Sequence, residues 1–131
     1  MAVEGTQPLK TSAVAGADLS ANAQYRYVKL NADNQVILCA AATDIPCGVL
    51  QNNPVSGDVA EICVIGETKI DSDAALTAGW LIGPSADGQA DRKIPGTDTT
   101  EYICGQVKIG SGAAGGKATA FVNCASPSRA A

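Results

Sequence analysis

A chain of 131 residues has room for one domain that buries roughly two thirds of its unfolded-state surface. Hydrophobic residues make up 46% of it but aromatics only 4%, so side-chain volume for a core is limited and self-association would be a natural supplement. A net charge of −4, without any basic run interleaved with aromatics, argues against nucleic acid as a partner. No run of 18 apolar residues and no basic-then-apolar leader is present, so a soluble, unexported chain with no membrane partner is expected.

Residues 1–23 are rich in Ala, Ser, Thr and Gly, with isolated apolar side chains at Val3, Leu9, Val14 and Leu19. Such a segment cannot bury enough apolar area to offset its ordering entropy, so it reads as an extended N-terminal arm, mobile unless a neighbour holds it. A single domain over 24–131 follows. There the texture changes to short β-branched and aromatic runs separated by Asn, Asp, Gly and Pro, the pattern of an all-β domain.

Tyr25–Leu30 and Gln35–Cys39 form a hairpin across the loop Asn31–Asn34. Strands follow at Gly48–Leu50, Val59–Ile65, Glu67–Ile70, Trp80–Gly83, Ala90–Lys93, Tyr102–Ile109 and Lys117–Asn123, about nine in all. In "VAEICVIG" both faces carry apolar residues, whereas "GQVKIG" alternates, Val107 and Ile109 opposing Gln106 and Lys108. Asp87-Gly88 supplies the positive φ of a tight turn. Short, closely spaced strands favour a small β-barrel or a β-tulip-like sandwich over an open sheet with long free edges.

Residues 33–73 hold seven carboxylates against Lys69, a local charge of −6, which is either a solvated face or a patch meeting a basic partner surface. Trp80 is read as core or subunit contact, with an exposed partner anchor as the alternative. The five cysteines, Cys39, Cys47, Cys63, Cys104 and Cys124, lack CxxC spacing and mostly fall in apolar runs. Buried free thiols are the expectation, disulfides or a zinc site the alternatives.

The chain contains no histidine, which removes Ser-His-Asp and Cys-His dyads and the usual near-neutral proton shuttle. The pairs Asp71/Asp73 and Asp58/Glu61 carry no sign of the asymmetric burial that makes one carboxyl an acid and the other a base. "GSGAAG" at 110–115 matches GxGxxG, but a strand rather than a helix follows it, so it is a glycine-rich connection. "DSD" and "DGQAD" fail calcium-loop spacing. No catalytic residue, metal or cofactor is expected.

The stretch from Gly16 to Lys93 resembles the small capsid decoration, or cement, proteins of tailed bacteriophages. The likeness is carried by a strand ending "VKL", then "GVLQNNPVSGDVAEICVIG", then "LTAG" leading into a strand closed by a "DG" turn. It implies a virion protein that binds as a homotrimer on the outer surface of an icosahedral head and bridges neighbouring major capsid subunits, with no catalysis. Val3, Leu9 and Val14 are the expected capsid-contact side chains. The alternative is a small β-barrel binding module, a head-fibre or adhesin domain recognising a glycan or receptor. Exposed aromatics would mark it, and Tyr25, Tyr27, Tyr102, Trp80 and Phe121 are few.

Overall fold

The computed structural model describes residues 2, 3 and 5–131. It is all-β, with strands β1 (Leu9–Val14), β2 (Tyr27–Leu30), β3 (Val36–Leu38), β4 (Gly48–Leu50), β5 (Val59–Asp71), β6 (Leu81–Pro84), β7 (Ala90–Arg92), β8 (Tyr102–Ile103), β9 (Gly105–Ile109), β10 (Lys117–Asn123) and β11 (Ser128–Arg129). Two expected strands merge into the 13-residue β5. The expected strand Tyr102–Ile109 divides at Cys104, because β8 pairs with β11 in a separate two-stranded ribbon while β9 joins the main sheet. Strands β1 and β11 were not expected.

Every strand pair is antiparallel. The main sheet runs β3-β2-β4-β5-β10-β9-β6-β7, with β1 also paired to β5. The β2–β3 hairpin turns where expected, Asn31 Oδ1 accepting the N–H groups of Asp33 and Gln35. Gly88, at φ 80°, closes the β6–β7 turn. The sheet curls into a half-barrel: the β6–β7 turn returns to the other end of the strand order, where Tyr27 N–H donates to Gly88 O at 2.7 Å. Curling protects edges that a flat sheet would leave open.

Two hydrophobic clusters result. The larger gathers Tyr27, Cys39, Val49, Cys63, Ile70, Ile82, Val107 and Val122, with Trp80 and Tyr102 packed partly buried against it. The smaller joins Val28, Val36, Leu50, Ala60 and Ile62 from the sheet to Ala15, Leu19 and Ala23 from the N-terminal segment. Alternation along β5 and its neighbours feeds both.

The described part of the arm expected over 1–23 is therefore tied down, residues 1 and 4 lying outside the described residues. Strand β1 pairs with β5 from Leu9↔Ile65 to Val14↔Val59. Ala15, Leu19 and Ala23 are buried, so a boundary at residue 23 has no counterpart in the packing. Ahead of β1 the chain passes directly over β5 at Gly66, where a Cβ would lie 2.6 Å from Gln7 Cα. There Gly5 N–H donates to Glu67 O, and Glu67 N–H donates to Thr6 O. Val3 N–H donates to Thr119 Oγ1 at 2.7 Å, and the same hydroxyl donates to Val3 O at 3.1 Å. Composition alone missed this because small residues supply the fit, where large side chains would have announced it.

Candidate docking surface

Val3, Leu9 and Val14 are 36%, 42% and 43% exposed. In an antiparallel pair, directly opposed residues project to one side, so Leu9 lies with Ile65, and Val14 with Val59. Between these ends sit Lys10, opposite buried Cys63, and Ser12, opposite Glu61. The surface of β1 and β5 is thus apolar at two ends and polar in the middle.

At the Leu9 end, Thr6, Pro8, Ile65, Gly66 and Phe121 line a shallow apolar hollow of about 330 Å³. Phe121 is 48% exposed, with Lys108 Nζ 5.7 Å from its ring centroid. Lys108 is also ion-paired to Glu67. At the Val14 end, exposed Val59 is accompanied by exposed Val55, whose turn is fastened by Gly57 N–H donating to Ala15 O. Val3, Leu9 and Val14, the contacts expected from the sequence, are exposed here; Phe121, Val55 and Val59, also exposed, were not among them. The signal for Phe121 was present in "KATAFVN", where Ala118, Ala120 and Val122 fill the core and Phe121 takes the opposite parity.

Three of the seven carboxylates of the acidic segment are ion-paired within the chain. Asp71 is held by Arg26 at 2.8 Å and Lys117 at 3.3 Å, Asp44 by Lys29 at 2.8 Å, and Glu67 by Lys108. Burial raises the Asp44 carboxyl, but hydrogen bonds from Lys29 and from the N–H groups of Ala40 and Ala41 outweigh it and hold the group below its ordinary value.

The cysteines are free thiols, four buried and Cys47 partly so. Burial, then the nearby Asp44 carboxylate, pushes Cys39 up to about 12, and burial pushes Cys47 up to about 11. Thiols of this kind stay protonated near neutrality and are poor nucleophiles. Trp80 is half-buried against the larger cluster, with the Arg92 guanidinium 4.1 Å from its ring centroid.

No protein-family model matches the chain, and no curated protein matches it. Among solved structures, the head fiber gp8.5 N base of bacteriophage phi29 superposes with a TM-score of 0.63 at 17% sequence identity, covering 88% of this chain and 94% of that one. The likeness is one of fold over nearly the full length of both.

Proposed function

We propose that this chain is a structural protein of a tailed-phage virion, seated on the outer surface of the head, where it bridges neighbouring major capsid subunits as a homotrimer. One observation carries the reading: over 88% of its length the chain superposes on the head fiber gp8.5 N base of a bacteriophage. The surface of β1 and β5 supplies chemistry of the right kind, two exposed apolar ends on a main-chain-paired ribbon. The protein acts by binding and transforms no substrate.

The energetics suit such a role. A ligand that binds the assembled shell but not its free subunits stabilises the shell by RT ln(1 + [L]/Kd), about 2.7 kcal/mol per site at a hundredfold excess over Kd. A trimer engages three copies of one surface, so weak individual contacts add through effective concentration. Leu9, Val14 and Phe121 would enter shallow apolar hollows of the shell.

A second reading is favoured by the nature of the structural neighbour: the domain anchors a fibre to the head and leaves shell stability unchanged. Purified protein added to expanded empty heads separates the two. Co-sedimentation with a higher rupture temperature supports cementing, and co-sedimentation without that rise supports a fibre anchor. No co-sedimentation at all overturns both. Leu9→Asp/Val14→Asp, at exposed sites that leave the fold intact, should weaken binding at least tenfold.

A further inference from the structure

We propose that Cys104 and Cys124 are a disulfide site: free thiols while the chain is kept reduced, they close a covalent bridge between the β8–β9 junction and the end of β10 once a small-molecule disulfide is supplied. The bridge needs no capsid to form.

A break in a strand brings the pair together. Val122 lies opposite Gly105, and Asn123 N–H donates to Cys104 O at 2.8 Å, so Asn123 and Cys104 are opposed positions. Opposed residues of an unbroken antiparallel pair project to one side. Here they do not: Asn123 is exposed, whereas Cys104 is buried at 2% exposure. The chain changes partners at this residue, Ile103 pairing with Ser128 on β11 and Gly105 with Val122 on β10, and the change turns the Cys104 side chain into the larger cluster. Cys124 reaches the same cluster by plain alternation, continuing the buried series Ala118, Ala120 and Val122.

The geometry suits a bridge. Positions one step off an opposed pair lie about 6 Å apart by strand spacing, inside the ~4.4–6.8 Å that a disulfide spans between Cα atoms. The two thiols are in hydrogen-bonding contact, which together with burial raises the Cys124 thiol above its ordinary value. Exchange is therefore slow and proceeds through opening of the short β8–β11 ribbon that borders Cys104. One thiol, as its thiolate, attacks a sulfur of the small disulfide, whose S–S bond breaks and releases one small thiol. The other attacks the protein sulfur of the mixed disulfide, which forms the Cys104–Cys124 bond and releases the second small thiol. The chain gives up two hydrogens and two electrons, and the oxidant takes them. The bridge closes a loop of about 20 residues and ties the ribbon to the main sheet. A particle built in a reducing cytoplasm and released into an oxidising medium passes through that change of conditions once.

The test uses the full chain, reduced, freed of reductant and incubated under native conditions with oxidised glutathione. The intact mass should fall by about 2 Da, the two hydrogens lost. Trypsin cuts at Lys108 and Lys117, so an alkylated digest should show the peptides holding Cys104 and Cys124 joined, with Cys39, Cys47 and Cys63 alkylated. The thermal midpoint should rise by at least about 5 °C and return when dithiothreitol is added. Cys124→Ala, at the end of β10, should lose both the mass change and the rise, and mapping of the unsubstituted chain decides the matter if that variant does not fold. Free thiols persisting at both positions, a glutathione adduct as the end product, a bridge mapped to another pair, or a bridge with no rise in midpoint would each overturn the proposal.

Discussion

The two hydrophobic clusters of this molecule are built by opposite means. The larger is closed by the curl of the sheet on itself, from Tyr27 on β2 around to Ile82 on β6 and Val107 on β9. The smaller is closed by a wrapped segment, Ala15, Leu19 and Ala23 covering Val28, Val36, Leu50 and Ile62. One is held by many strands bonded in series, the other by a lid with one large apolar side chain. The comparison teaches that rigidity and exposed apolar surface come from different parts of the chain. The curled core supplies rigidity, whereas β1, which runs into the wrapped segment, carries Leu9 and Val14 exposed on its surface.

Substitution at the centre of each cluster should separate them most clearly. Ile82→Ala, fully buried in the curl, should cost about 3–4 kcal/mol and shift the whole unfolding transition. Leu19→Ala should cost about 2 kcal/mol, because a terminal lid can settle into the space, and should speed amide exchange first at residues 15–23. Equal losses with uniform exchange would mean that the two clusters unfold as one unit.

The crossing over β5 offers the next test. Gly66→Ala, at φ 154° and with Gln7 Cα in the way, should cost about 2 kcal/mol and release Val3 from Thr119 and Gly5 and Thr6 from Glu67. Gly57→Ala, at φ 88° but in open space, should cost only about 1 kcal/mol of backbone strain. Denaturant midpoints for the pair isolate the crossing, and similar losses would show that it contributes nothing.

A smaller effect of opposite sign is expected inside the curl. The Tyr27 hydroxyl is buried with no hydrogen-bond partner among the described residues. Tyr27→Phe should therefore raise stability by about 1 kcal/mol in a thermal melt, and a loss would mean that the hydroxyl is satisfied in solution.

The smallest effect is on pH dependence. Asp44 and Asp87 are each raised by burial but more strongly lowered by their hydrogen bonds, Asp87 by Ser85 and Gln89. Their folded-state pKa values lie below the ordinary 3.8, so the stability they add is present above that pH and lost as the pH falls through the folded values. Asp73 works the other way, raised by burial and then by Asp87 and Asp91, so its ionisation costs stability as the pH climbs. Asp44→Asn should flatten the acid limb of a stability-pH curve, and Asp73→Asn should lift its neutral plateau. Both changes should be within about 1 kcal/mol, since the groups are mostly solvated.

Much of the sheet was legible because its signals are local. Alternation in "GQVKIG" set the wet face of β9, and the Asn31–Asn34 loop and Asp87-Gly88 set two hairpins. The glycine-rich 110–116 segment is a connection, pinned by Ser111 exchanging backbone hydrogen bonds with Leu76. Strand β1 was not legible, since "LKTSAV" has no alternation and its pairing partner is some fifty residues away. Isolated apolar residues in a polar stretch, Val3, Leu9, Val14 and Leu19, divide in the structure: Leu19 is buried and the first three are exposed. Their neighbours Val59, Ile65 and Phe121 come from β5 and β10, and no local pattern links them.

The motif "YRY" shows where the division falls. Residues two apart on a regular strand share a face, so Tyr25 and Tyr27 read as equivalent. One is wholly buried in the curled core, and the other lines a polar cleft. The sequence by itself determined an all-β chain, most of its strands and its tight turns, because those follow from alternation and turn chemistry over a few residues. Only the tertiary structure decided which strands meet, which segment closes the second core and where Tyr25 goes. Its positive φ belongs to the turn closed by Arg26 N–H donating to Ala23 O, and its backbone is held in place by bonds to Leu50 and Asp71, far away in the chain.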